Sequence, residues 1–244
     1  MPLIGLLLLA LTASAQETLD RVLASVNGEP VTLTDARAAL ALGVVERTEG
    51  VDPVVSAVVQ LIERRLILAE VARFAPPEPD IQSVNGEVNS IKGRVGTSEQ
   101  LAALEKSTGV GETQIREIAR DNLRIQSYLN QRFGSSVQAT DEDAAAYYRT
   151  HLDEFRAGGE LTPYAEAAPV AREKAAAARR RAVIFQWLRE LRQRADVIEN
   201  YKQQQLPVSN FQLPKNEPGG LVPKFAIGRW ELASAKPCER RLSG

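Results

Sequence analysis

The sequence predicts a mainly α-helical protein with a small amount of β structure near its two ends. Composition is the first reason. Ala, Leu, Arg and Glu are plentiful and are strong helix formers, while aromatic residues make up only 5% of the 244 residues. Periodicity is the second, because apolar side chains return at helical spacing in several segments bounded by capping residues and breakers. A third observation points the other way. The stretch RVLASVNGEPVTLTDARAAL, Arg21 to Leu40, holds two short apolar runs around Asn27-Gly28 and then a helix start, the pattern of a β-hairpin leading into a helix.

Taken from the start, Leu3 to Leu11 is a short apolar run, and Ala13-Ser14-Ala15 is an A-x-A cleavage site. Together they predict a secretory signal peptide over residues 1–15 and an exported protein. The run is too short for a membrane span, and no later apolar stretch is long enough for one. After the hairpin, Asp52 suits an N-cap and Pro53 the first helical position. Val54, Val55, Val58, Leu61, Ile62, Ile67, Leu68 and Val71 then form a stripe broad enough for burial on more than one side. APPEP stops that helix.

A helix over Asp80 to Val95 follows, with Asn85-Gly86 at its middle. Thr97 and Gln100 fit a capping box for a short helix through about Lys106. Ile115, Ile118, Asn122, Ile125, Leu129 and Phe133 mark the next long helix, and GSSVQ a turn after it. Thr140 with Asp143 caps another short helix. Thr162-Pro163 reads as N-cap and first turn of a last long helix, which Pro169 should kink or restart. Ile184, Trp187, Leu188, Leu191 and Ala195 form its apolar face, and DVIENY leaves it with extended character. From about Lys202 the chain is rich in Pro, Gln and Gly and reads as a disordered tail, dispensable for folding, over residues 202–244. The competing expectation there is that FAIGRWELA docks back through Phe225 and Trp230.

Hydrophobic residues at 44% and charged residues at 25% place the chain among soluble globular proteins, and a net charge of −1 makes no case for nucleic acid as a partner. Cys238 is the sole cysteine, so an intrachain disulfide and a Cys-rich metal site are both excluded. No nucleotide-binding loop of the G-x-x-x-x-G-K-[ST] kind is present, and no metal or organic cofactor is implied.

LDRVLASVNGEPVTLTD, LIERRLILAEV, NLRIQSYLNQRF, TDEDAAAYYRTHLDEF and LTPYAEAAPVAREK…WLRELRQRADV occur in that order between Leu19 and Asn200. This arrangement resembles the N-terminal chaperone domain of SurA-like proteins, periplasmic chaperones for outer-membrane proteins related to the PrsA-type foldases. The resemblance implies a helical chaperone domain over residues 16–201 whose N-terminal hairpin pairs with a strand after the last helix, here ADVIEN. It also implies a periplasmic location and unfolded or nascent exported polypeptides as partners. In that family, parvulin-type prolyl isomerase domains lie before the final long helix and carry a pair of active-site histidines. Here only RAGGEL separates Phe155 from Thr162, and His151 is the sole histidine. The expectation is a chaperone without ATP and without isomerase activity. The alternatives are a parvulin-related prolyl isomerase and an adaptor for one folded partner.

The sequence nominates no catalytic residue and no metal ligand. His151 has Asp153 and Glu154 beside it, but no nucleophile in a recognisable motif and no second His, so it reads as a surface or helix-end residue. Arg172, Lys174, Arg179, Arg180, Arg181, Arg189, Arg192 and Arg194 form a basic run, offset only by Glu173 and Glu190. It is either a surface for anions or a solvated helix face opposite Ile184, Trp187 and Leu191. Tyr147, Tyr148, Phe155, Phe133 and Trp187 read as packing residues. For client binding the sequence nominates Leu42, Val44 and Val45, on a segment flanked by Gly43 and Gly50 and expected to form a mobile edge.

Overall fold

Asn27 and Gly28 both take positive φ, 52° and 87°, so the chain reverses within two residues. The twist of such a turn matches that of paired strands, and Asn-Gly adopts it at least cost. In the computed structural model, which describes residues 20–134 and 138–202, β1 (Val22–Val26) and β2 (Glu29–Thr32) pair antiparallel across this turn. Pro30 lies within β2 opposite Ser25, and an edge strand tolerates its missing N–H. β5 (Val197–Glu199) pairs with the other side of β1, giving the order β2-β1-β5 with Val26 opposite Val197. The hairpin turn also grips this strand: Asn27 N–H donates to the Asp196 carbonyl at 2.7 Å, and Asp196 N–H donates to Asn27 Oδ1 at 3.0 Å. The expected mainly helical fold with a small joining sheet is therefore present.

Among the described residues seven α-helices stand between the strands, most of them starting where local chemistry places a cap. α1 (Leu33–Ala41) begins with a Thr32–Asp35 capping box. α2 (Pro53–Phe74) begins at Asp52, whose carboxylate accepts from the N–H groups of Val54 and Val55 at 2.8 and 3.1 Å. α3 (Ile81–Val95) follows Asp80, and α4 (Ser98–Thr108) follows a Thr97–Gln100 box and runs past Lys106 to Gly109. α5 (Glu112–Phe133) carries an inward stripe from Ile115 to Phe133, and α6 (Asp141–Thr150) starts at the Thr140–Asp143 box. A 3-10 turn (Leu152–Phe155) leads to a tight hairpin of β3 (Arg156–Ala157) and β4 (Glu160–Leu161), then to α7 (Tyr164–Arg194).

Two expectations for α7 are corrected, the restart at Pro169 and the Thr162 cap. The helix does not restart at Pro169 but continues as one 31-residue helix. Pro169 lies in the second turn, where its missing N–H leaves only the Ala165 carbonyl without its usual donor, and Ala167 and Ala171 share an apolar group with Ala144 of α6. Thr162 does not cap it either. Pro163 occupies the N-cap position without a side-chain bond, while Thr162 closes the hairpin by donating its N–H to Phe155 O at 2.9 Å. The expected signal peptide over residues 1–15, the tail beyond Lys202 with Phe225, Trp230 and Cys238, and the middle of the GSSVQ turn lie outside the described residues.

Three apolar groups make the interior. The first joins the sheet, α1, α2, the C-terminal half of α5 and the C-terminal half of α7, and includes Leu23, Val31, Ile62, Ile125, Ile184 and Trp187. The second holds α3, α4 and the N-terminal half of α5 around Ile91, Ile115 and Leu42. The third is a small lobe of α6, the 3-10 turn and the start of α7 around Tyr148, Phe155 and Ala171. A polar seam separates the first two. Arg64 donates to Asn122 Oδ1 at 2.8 Å, Asn122 donates to Glu87 at 2.9 Å, and Arg94 lies 3.8 Å from Glu87 while donating to Leu42 O at 3.2 Å. Burial pulls the Arg64 guanidinium down to about 10, still charged at neutral pH, with Asp121 and Glu87 holding it up.

Candidate interaction surface

Leu42, Val44 and Val45 do not form an exposed edge, which corrects the sequence-based expectation for them. Leu42 is fully buried in the second apolar group, Val45 is buried in the first, and Val44 touches both. The loop that carries them is pinned by α2. Gln60 reads both backbone groups of Glu46, accepting from its N–H at 2.9 Å and donating to its C=O at 2.7 Å. Ser56 donates to the same carbonyl at 3.2 Å and lies 2.9 Å from the Thr48 hydroxyl. Two of the buried polar side chains of the molecule, Ser56 and Gln60, are thus committed to holding this loop against the core.

The two most exposed of the described large apolar side chains lie elsewhere, at the turn between α2 and α3, ahead of Ile198 and Val170. Phe74 is 55% exposed and Ile81 is 74% exposed. The segment between them runs antiparallel along α5. Phe74 rests on Tyr128 with ring centroids 5.6 Å apart, Glu78 meets Arg124 at 3.4 Å and Arg120 at 2.7 Å, and Asn85 accepts from Arg116 at 2.8 Å. Arg120 and Arg124 hold the Glu78 carboxyl below the usual carboxylate range. Behind Phe74 an aromatic series leads inward, Tyr128 to Trp187 at 5.9 Å and Trp187 to Phe133 at 5.3 Å. Arg73 lies over Phe74 at 5.9 Å, and Arg132 over both Phe133 and Trp187 at 5.4 Å. Sequence reading passed over Phe74 and Ile81. The available signal was position: both flank APPEP, and Phe74 continues the stripe by one step to the very end of the helix, next to the breaker.

Four residues of the basic run on α7 pair with carboxylates within the molecule. Arg172 pairs with Asp141, Lys174 with Glu154 at 2.8 Å and Arg179 with Asp143 at 3.0 Å, so the acidic start of α6 faces the basic middle of α7. Arg180 donates to Asn130 at 2.7 Å, Arg189 lies over Phe185 at 5.1 Å, and Arg192 pairs with Glu199. The Thr140 N–H and hydroxyl, with Arg179, hold the Asp143 carboxyl low. The Arg172–Arg179 part of the run is a helix–helix seam with α6.

His151 ends α6 as its exposed C-cap residue. Its ring stacks on Tyr147 at 4.0 Å, and Nδ1 lies 2.9 Å from the Thr150 hydroxyl and 3.0 Å from the Tyr147 carbonyl. Tyr147 donates to Glu154 at 3.0 Å. With Nδ1 at the Tyr147 carbonyl, the imidazole sits as a cap on the last turn of α6. A shallow depression lined by Gln138, Ala139, Pro169, Arg172, Glu173 and Ala176 brings together no set of groups suited to catalysis. Among the described residues no cluster of His, Cys, Asp and Glu is arranged to hold a metal ion, and no helix is long and apolar enough to cross a membrane. No protein-family model matches the chain, and no curated protein matches it.

Proposed function

We propose that this protein is an exported, ATP-independent chaperone of the holdase type, acting on unfolded outer-membrane or other exported polypeptides in the periplasm. The observation that carries this reading is the exposed pair Phe74 and Ile81, on a turn braced to α5 by Glu78 and backed by Tyr128 and Trp187. Exposed apolar area on a rigid support is what a holdase needs. It binds extended apolar segments reversibly and lowers the free concentration of aggregating species. The resemblance of the chain to SurA-like N-terminal domains supports the same reading, and the strand order β2-β1-β5 is the arrangement which that resemblance implies. In this reading the two-residue strands of the β3–β4 hairpin stand where the resembled proteins carry isomerase domains, and His151 serves as a cap.

The test is suppression of light scattering when a denatured β-barrel protein is diluted into the full chain. Suppression that falls several-fold in the Phe74→Ser, Ile81→Ser double variant supports the proposal. Absence of suppression by the unaltered chain defeats it. Recovery of one stoichiometric folded partner, in place of many unfolded clients, would favour the adaptor instead.

A further inference from the structure

Tyr128 is buried in the first apolar group, yet its hydroxyl makes no hydrogen bond among the described residues. A buried hydroxyl without a partner costs stability, and native proteins keep few of them. The Tyr128 ring lies between Phe74, 5.6 Å away at the exposed end of α2, and the buried Trp187, 5.9 Å away. Burial raises the phenol above its ordinary value, with Arg132 offsetting part of the rise, so at neutral pH the hydroxyl keeps its proton and can donate.

Two guanidinium groups flank these rings. Arg73 lies over Phe74 at 5.9 Å and 3.8 Å from Glu70. Arg132 follows Tyr128 by one turn of α5 and lies over both Phe133 and Trp187 at 5.4 Å. Arg132 is exposed, and among the described residues no carboxylate lies within ion-pair distance of it. Arg120 and Arg124, further back along α5, are by contrast taken up by Glu78, and Arg124 also meets Asp121 at 4.0 Å. Since Arg73 offsets Glu70, the balance of the charges around Phe74 and Tyr128 is set by Arg132 and is positive. The patch thus combines apolar surface, one buried donor and one uncommitted cation. Its complement is a ligand with an apolar side chain beside an anionic oxygen.

We propose that this patch selects, among unfolded polypeptides, apolar residues flanked by a carboxylate. The inference rests on the holdase reading and adds the chemistry of the client to it. The client's apolar side chain packs beside Phe74, whose ring turns aside, and its carboxylate accepts from Arg132 and from the Tyr128 hydroxyl. Phe74 is the cover that can move, because it is the last residue of α2 and 55% exposed, whereas Phe133 and Trp187 are buried.

The test titrates three fluorescent peptides of one apolar sequence, flanked by Glu, Gln or Lys, into the full chain and follows anisotropy. The expected order is Glu, then Gln, then Lys, with the Glu peptide bound roughly fivefold more tightly than the Gln peptide at low salt. In Arg132→Gln that preference should fall to near unity. Tyr128→Phe removes only the hydroxyl, so the Glu peptide should bind several-fold more weakly while the thermal midpoint does not drop. A lowered midpoint in Tyr128→Phe, or an unchanged Glu preference in either variant, would overturn the proposal. Equal binding of the Glu and Gln peptides also overturns it and leaves the holdase reading standing. Failure of all three to bind overturns it as well, and defeats the holdase reading too when the chain does not suppress scattering. If Arg132→Gln does not fold, the unaltered chain is titrated from about 50 to about 500 mM salt. A Glu preference that disappears over this range supports the proposal, and one that persists overturns it.

Discussion

Gln60 shows how one side chain determines the behaviour of a whole loop. Its amide matches both the N–H and the C=O of Glu46, while the loop itself contributes mostly backbone. Truncation removes the Gln60 acceptor of the Glu46 N–H and one of the two side-chain donors to its carbonyl, Ser56 being the other, a loss of about 2 kcal/mol for Gln60→Ala. The check is urea unfolding followed by hydrogen exchange of residues 43–51. The expected signature is lost protection in this loop with α6 unaffected. Arg64 belongs to the same scale. Its buried charge is held by Asn122 and by the Ile118 carbonyl, so the seam between the two larger apolar groups is polar by construction.

At the scale of elements, α6 and α7 explain each other. The acidic residues that favour the N-terminus of α6 also meet Arg172 and Arg179 across the seam, and small residues on both helices let the backbones approach. Thr140→Ala removes the α6 cap and should cost about 1 kcal/mol, read as a lower thermal midpoint. The β3–β4 hairpin is a second local device. Gly158 and Gly159 take φ of 60° and 90°, a conformation that β-branched residues resist. Replacing both with Val should destabilise the lobe by about 2 kcal/mol, whereas Asn-Gly in their place should leave the midpoint near that of the unaltered chain. Circular dichroism melts distinguish the two outcomes.

For the whole molecule, the closed arrangement of the chain matters most. The sheet ties the beginning of the described chain to its end, and α7 spans from that sheet to the α6 lobe. In the proposed role, clients meet the α2–α3 turn and leave the sheet intact. The Phe74→Ser, Ile81→Ser double variant should therefore lose aggregation suppression while its thermal midpoint falls by no more than a few degrees. Scattering and melting measurements on the same sample check both halves of this statement. A proline-peptide assay should show no isomerase rate above background, and a rate that disappears in His151→Ala would reverse that expectation.

Local chemistry was legible in the sequence. The Asp52-Pro53 start, the Thr97–Gln100 and Thr140–Asp143 boxes and the Asn27-Gly28 turn involve neighbours within a few residues, so residue type alone determines them. The third strand was legible only through the resemblance, because three extended residues carry no address for their partner. Tertiary structure decided the rest. Leu42 and Val45 became core because α2 supplies Gln60 and Ser56 to hold their loop inward. The Arg172–Arg179 part of the basic run became a seam because α6 folds back against it. Phe74 and Ile81 remained exposed because the turn between them is held along α5 by Glu78. Each outcome depends on contacts between residues far apart in the chain, and no helical or strand period encodes which distant element will arrive.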